Sequence, residues 1–272
     1  MQTDLSSSPD RHTGPPLPRR DRLAVLISLA ALTTLSWIYL LRLDAAMAPM
    51  DMTDMAGMPC MHMDMPGRDP RGLLLGFVMW SVMMIGMMLP GAAPMILLFA
   101  AVQRRARPHP FPVIAVFVFG YVVVWAVFSA GAAGLQAGLQ SLRMLTADRL
   151  ASGTLAGAVL IAAGLYQWTA VKERCLAHCR SPLAFMTRHW RPGTAGALRM
   201  GVMHGAYCLG CCWALMALLF VGGVMNLLWV AALAALVLLE KILPGGRLFA
   251  RIAGVVLVVW GAALLTGVSG PA

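Results

Sequence analysis

Hydrophobic residues run through the chain in long blocks that are separated by short polar or charged segments. A helix of about 20 apolar residues is long enough to cross the hydrocarbon core of a bilayer. Blocks near this length predict seven membrane-spanning helices, of which the sixth is the shortest: approximately 23–41, 73–100, 113–138, 153–171, 200–221, 226–240 and 252–268. The predicted fold class is all-α, a polytopic transmembrane helical bundle.

The composition supports a membrane protein. Hydrophobic residues make up 60% of the chain and charged residues 12%, with a mean hydropathy of +0.76, which excludes an ordinary soluble globular domain. The net charge of +10 is not gathered into a basic strip with interleaved aromatic residues, so we expect no nucleic-acid partner. Most basic residues fall in alternate segments between the spans, which predicts a cytoplasmic N-terminus in a multi-pass protein of the bacterial inner membrane.

Four regions follow from this pattern. We predict a disordered cytoplasmic tail at 1–22, a first transmembrane anchor at 23–41, a Met/His-rich periplasmic loop at 42–71 and a six-helix membrane domain with a metal site at 72–268. The first span also resembles a secretory signal, with Ala46-Met47-Ala48 as a cleavage site. An uncleaved anchor is preferred because the apolar run is longer than a usual signal core.

The periplasmic loop is rich in soft metal ligands. Residues 47–65 hold eight methionines, one cysteine and one histidine, and the Pro, Gly and Asp residues among them argue against apolar packing. Neutral thioethers suit copper(I) or silver(I) and bind hard ions weakly. A low-complexity linker with a methionine bias is the alternative. The predicted loop ligands are Met50, Met52, Met55, Met58, Cys60, Met61, His62, Met63 and Met65.

Methionines also recur along the second span. At 100° per residue, Met79, Met83 and Met87 share one helical face, whereas Met84 and Met88 point to the other side and are secondary candidates. A ladder of weak neutral donors can pass copper(I) from site to site. The alternative is that these methionines only fill gaps in the helix packing. Pro90 is predicted to end or kink this helix.

The fifth span carries thiols and an imidazole at helical spacing. His204, Cys208 and Cys211 fall within ~60° on one face, and Cys212 lies beside them. Thiolate and imidazole ligands inside a bundle would hold copper(I) tightly. Redox-active thiols and inert buried thiols are the alternatives. The pattern predicts a metal site at His204, Cys208, Cys211 and Cys212.

The sequence resembles a bacterial family of predicted metal-binding integral membrane proteins of unknown function. The resemblance covers about residues 72–265 and leaves out the first span and the Met-rich loop. It implies a membrane location and a metal-related role. The matching segments are Trp80 through Pro90, Lys172 through Cys179, Gly205 through Trp213, Met216, Gly223 through Trp229, and Glu240-Lys241 with Pro244.

Two further features lie near the cytoplasmic ends of spans. Cys175, His178 and Cys179 are secondary candidates to receive or deliver the ion, with idle thiols as the alternative. Glu240 and Lys241 are predicted to be an interfacial pair, with the lysine reaching out to the membrane surface.

The sequence therefore predicts a soft-metal membrane protein, most consistent with copper(I) as the bound ion, acting in copper transport or delivery and not as an enzyme. A membrane thiol-disulfide oxidoreductase using Cys208, Cys211 and Cys212 is one alternative, and a non-metal accessory subunit is another. The expected partners are the lipid bilayer and a periplasmic copper chaperone or a cuproenzyme. A homo-oligomer is also left open.

Overall fold

A computed structural model of the chain describes residues 18–47, 70–106, 109–146 and 149–266. These residues are almost entirely helical, which confirms the all-α fold class. The elements are α1 (Arg19–Met47), α2 (Pro70–Ala106), α3 (Phe111–Ser141), β1 (Leu145–Thr146), β2 (Arg149–Leu150), α4 (Gly153–Tyr166), α5 (Ala170–Arg180), α6 (Pro182–His189), α7 (Gly193–Ala217), α8 (Leu219–Gly222), α9 (Leu227–Ile242) and α10 (Gly246–Leu265). The two-residue strands pair antiparallel between α3 and α4.

Fewer helices than predicted are long enough to cross a membrane. Within the described residues, five helices have the required length and hydropathy, and six do if α4 and α5 form one broken span. The expected count of seven is therefore not confirmed. The predicted span at 153–171 ends early because α4 and α5 bend by 63° at their junction. The predicted span at 226–240 is the 16-residue α9, which extends about 24 Å at 1.5 Å per residue and is too short by itself.

The first three helices pack in sequence, each antiparallel to the one before it. Asp21 of α1 forms an ion pair of 3.0 Å with Arg104 near the end of α2. The ring of Phe99 in α2 stacks on Phe117, near the start of α3, at 4.6 Å. Pro90 was predicted either to end or to kink this helix. Helix α2 continues through Pro90, so the proline does not end it.

Helix α7 runs parallel to α3 and packs closely against it. A Cβ atom at Gly201 would lie 2.0 Å from the carbonyl oxygen of Phe117, and one at Gly205 would lie 3.0 Å from Val124. The two glycines, which stand four residues apart, therefore allow a backbone contact between these helices, as small residues do in membrane bundles. This contact fixes which residues of α3 face the cysteines of α7.

Helices α4 and α10 pair in opposite directions at the edge of the bundle. Gly157 lies against Gly261, and Gly164 lies against Gly254. The outward face of α10 is apolar and exposed, including Ile252 and Val259, which suits contact with lipid.

The segment after α4 folds back onto the bundle. Thr169 caps α5 by accepting a hydrogen bond from the backbone N–H of Lys172. Helix α5 packs on α7, and the short helix α6 follows it and contacts both α5 and α2. The side of α7 that carries the cysteines is thus enclosed by α2, α3, α5 and α9.

Candidate metal centre

The three cysteines of α7 point into the bundle. Cys208, Cys211 and Cys212 are each at most 2% exposed. Their spacing of three and four residues places them on one side of the helix, as the sequence predicts. We call Cys208, Cys211, Cys212 and the groups in contact with their side chains the thiol cluster.

Cys208 lies at the centre of the thiol cluster. Its Sγ is 3.1 Å from the Oη of Tyr121 on α3 and 3.0 Å from the Nζ of Lys241 at the end of α9. The Tyr121 hydroxyl also donates to the carbonyl oxygen of Met88 at 3.1 Å. Two hydrogen-bonding side chains from different helices therefore converge on one sulfur.

Cys211 and Cys212 share a hydrogen-bond acceptor. Each thiol donates to the carbonyl oxygen of Cys208 at 3.0 Å. The Sγ of Cys212 is also 3.8 Å from the Sδ of Met88. A thioether of α2 thus joins the thiols, and both kinds of sulfur are ligands that suit copper(I).

Helix α5 adds another thiol to the cluster. The Cys179 side chain is buried and lies next to the side chains of Cys208 and Cys211. Cys175, one turn earlier, is half-buried beside Gly210, where an added Cβ would lie 2.7 Å from the cysteine sulfur. Of the secondary candidates, these two cysteines therefore lie at or beside the cluster.

His178 has a different environment. Its ring stacks on that of Tyr207 at 4.2 Å, and its Nδ1 is 2.8 Å from the carbonyl oxygen of Arg174. It lies on the same helix as Cys179, but the contacts of its ring are with an aromatic side chain and a backbone carbonyl.

His204 is buried one turn before Cys208. Its ring lies among Phe117, Tyr121 and Phe185, with ring centroids 5.5 to 6.2 Å apart. Its Nδ1 is buried and makes no hydrogen bond. A buried imidazole nitrogen without a partner is costly, and a metal ion is one group that would satisfy it.

The methionines of α2 are all buried. Met79, Met83 and Met87 on the predicted ladder are between 1% and 9% exposed, and Met84 and Met88 on the opposite face are fully covered. The sulfur of Met88, predicted only as a secondary candidate, is in contact with the thiol cluster. The conducting role of the ladder stays a prediction.

The thiols are not arranged as a preformed metal-binding site. In the part of the chain that the structure describes, no three His, Cys, Asp or Glu side chains form a ligand group for a metal ion. The reason is visible at Cys211 and Cys212, whose thiols are turned toward the Cys208 carbonyl. Ion binding therefore requires these side chains to rotate, or uses two thiolates with the Met88 thioether.

A buried ion pair borders the cluster. Lys172 of α5 and Glu240 of α9 meet at 2.7 Å with side chains at most 2% exposed, and Lys172 also bonds to Gln167. Arg180 donates to the carbonyl oxygen of Leu243 after the end of α9. The prediction that Glu240 and Lys241 form an interfacial pair is wrong, because both are buried and the lysine points inward to Cys208.

The Met-rich loop lies outside the described residues. All nine loop ligands named above, from Met50 to Met65, therefore stay predictions, and so do the tail at 1–22 and the boundaries of the loop.

Comparison with known proteins adds one finding. A family described as copper chaperone, PpoB2, matches residues 77–264, which is most of the chain and runs from within α2 to near the end of α10, with the whole thiol cluster. The chain belongs to this copper chaperone family. No curated protein and no solved structure matches the chain.

Membership of the copper chaperone family supports copper binding or transport as the general role of the protein. It also agrees with the donor set, because thiols, a thioether and a free imidazole nitrogen are soft or borderline ligands. The range that resembles a metal-binding membrane family, about 72–265, is nearly the same as the range of the copper chaperone match.

Four residues of the thiol cluster were not predicted as primary site residues: Tyr121, Lys241, Cys179 and Met88. Tyr121 and Lys241 are not usual metal ligands, and nothing in their local sequence connects them to cysteines on another helix. Cys179 was a secondary candidate. The signal available for Cys179 was Thr169, a good N-cap residue, which indicates that a new helix starts there.

Proposed function

We propose that this protein is a copper(I) chaperone of the bacterial inner membrane that holds the ion between its helices at the thiol cluster. The observation that carries the proposal is the meeting of Cys208, Cys211 and Cys212 with the Met88 thioether in a buried site. Buried thiols and a thioether favour a soft monovalent ion over hard ions.

The route of the ion forms the second part of the proposal. The Met-rich loop at 47–65 captures copper(I), the methionines of α2 conduct it and the thiol cluster holds it for delivery. Five long apolar helices support the membrane location. The burial of all the α2 methionines is compatible with sulfur contacts along an internal path, because lipid does not reach them.

Release is proposed to occur toward α5. Cys179 contacts the cluster and Cys175 is half-buried one turn away, so the two thiols form a step from the bundle interior toward the surface. Exchange of copper(I) between neighbouring thiolates needs no ligand-free ion, because a new sulfur can bind before the old one leaves.

The experiment compares copper(I) affinity of the purified protein with that of Cys208→Ser/Cys211→Ser/Cys212→Ser, using competition with a chromophoric copper(I) chelator. We expect the tight site to be lost, with at least a roughly hundredfold fall in affinity, because hydroxyl groups are poor ligands for a soft ion. Deletion of 47–65 should remove weaker sites only.

A matched control is Met200→Leu/Met216→Leu, which replaces two buried sulfurs of the same helix that are not predicted ligands. It should bind copper(I) as the wild type does. Thermal unfolding of each variant shows whether it remains folded. Failure of the wild type to bind copper(I) would contradict the proposal and leave thiol redox chemistry as the better account of the cysteines.

A further inference from the structure

The buried charges next to the thiol cluster do not balance. Among the described residues, the charged side chains that are buried are Lys172, Glu240 and Lys241. Lys172 and Glu240 neutralise each other in their ion pair. Within the same described part of the chain, no carboxylate lies within ion-pair distance of Lys241.

The ammonium group of Lys241 points toward two sulfur atoms. Its Nζ is 3.0 Å from the Sγ of Cys208 and 3.9 Å from the Sδ of Met88. Its aliphatic stem passes over Gly91 of α2, where an added Cβ would lie 3.0 Å from the lysine Cδ. The absence of a side chain at Gly91 therefore leaves room for the lysine to extend from α9 to α7.

A buried ammonium group without an anion is costly in a medium of low dielectric constant. The Cys208 thiol is in contact with Lys241 and becomes negatively charged when it binds a metal ion as a thiolate. The position of the lysine therefore suits a metal complex of the thiol cluster that carries a negative charge.

Charge counting then distinguishes between metal ions. Binding of copper(I) by two thiols releases two protons and gives a complex of charge −1, because two thiolates contribute −2 and the ion contributes +1. With the Lys241 ammonium the site is neutral. Zinc(II) on the same two thiolates gives a neutral complex, and the lysine then leaves the buried site with a charge of +1.

We propose that Lys241 is a specificity-determining residue that compensates the charge of a dithiolate copper(I) complex and disfavours divalent ions at the thiol cluster. This inference rests on the proposed function. It assigns to Lys241 the role of a counter-charge and not of a ligand.

The test measures copper(I) and zinc(II) affinities separately, at one fixed pH, for the wild type and Lys241→Leu. Leucine removes the charge and, unlike methionine, adds no soft metal ligand next to Cys208. We expect copper(I) affinity to fall roughly tenfold or more and zinc(II) affinity to rise, because a unit charge a few ångströms away in a partly buried site contributes at least this much. Lys241→Arg, which keeps the charge, should retain the wild-type preference.

Measuring the affinities of both ions for the same variant distinguishes loss of the counter-charge from damage to the folded site. A damaged site would bind both ions more weakly, whereas loss of the counter-charge changes the two affinities in opposite directions. Parallel loss of both affinities, or unchanged or stronger copper(I) binding by Lys241→Leu, would overturn the inference. Absence of copper(I) binding in the wild type would overturn the proposed function first and this inference with it.

Discussion

The α4–α10 pair at the edge of the bundle and the junction of α5, α7 and α9 in its interior are both contacts between helices, but the groups in contact differ in kind. Between α4 and α10 the contacts are made by glycines and apolar side chains, and a Cβ at Gly157 would lie 2.8 Å from the carbonyl oxygen of Gly261. Such a contact needs close backbone approach, which small residues provide in lipid.

The junction of α5, α7 and α9 brings together a buried ion pair, an unpaired lysine and several thiols. None of these groups is needed to pack helices, and the charged ones are costly to bury alone. The α4–α10 pair shows that helices of this protein can pack together without burying charged groups. The polar junction is therefore better explained by a binding site than by stability.

The largest effect is expected at the ion pair. Lys172→Met leaves the Glu240 carboxylate buried without its cation, which should lower the free energy of unfolding by about 3–5 kcal/mol. Denaturant titration of the detergent-solubilised protein, followed by helical circular dichroism, measures the change.

The control is Lys172→Met/Glu240→Met, which removes both charges. It should recover most of the lost stability, because a buried ion pair replaced by apolar groups of similar volume is often neutral. If the double variant were as unstable as the single one, the destabilisation would come from lost packing and not from an unpaired charge.

A smaller effect is expected at the apolar pair. A Cβ at Gly164 would lie 2.7 Å from Val258 Cγ2 and 2.8 Å from the Gly254 carbonyl oxygen, so Gly164→Ala forces the helices apart. We expect a loss of about 1–3 kcal/mol in unfolding free energy. Copper(I) affinity of the folded protein should stay at the wild-type value, because this contact is not part of the thiol cluster.

Gly131→Ala is the matched control for this substitution. Gly131 is also helical, but nothing lies within 4 Å of an added Cβ there. The change should leave stability equal or slightly higher, since alanine loses less backbone entropy on folding. Equal destabilisation by both substitutions would mean that the close approach of α4 and α10 contributes nothing.

The sequence predicts the helices well where a long apolar block forms one continuous helix, as in α2, α3 and α10. It misses the break within the span predicted for 153–171, because hydropathy does not register the new helix that Thr169 caps. The short α9 is a related case. Its block is apolar, but its length does not reach across a bilayer.

For the site, helical spacing was sufficient to place Cys208, Cys211 and Cys212 together, because all three lie on one helix. The spacing of residues within one helix does not predict which side chains of a neighbouring helix contact them. The contacts of Lys241 and Tyr121 with Cys208 arise from the packing of α9 and α3 on α7, so the sequence alone did not reveal them.

The two methionine faces of α2 also differ in their contacts with a neighbouring helix. Substitutions on these faces give the smallest predicted effect, which is a change in copper(I) affinity. The Sδ of Met88 is 3.8 Å from the Sγ of Cys212, whereas Met83 lies one turn away on the opposite face. Met88→Leu should weaken copper(I) binding roughly tenfold, equivalent to about 1.4 kcal/mol, because one neutral soft ligand is lost. Chelator competition measures it.

Met83→Leu is the control, since it makes the same volume-conserving change at an equally buried position of the same helix. Its equilibrium affinity for copper(I) should match that of the wild type, although a role in conduction would slow loading of the site. If Met83→Leu weakened binding as much as Met88→Leu, the ion would be held along the predicted ladder. The thiol cluster would then be only one end of a longer binding path through α2.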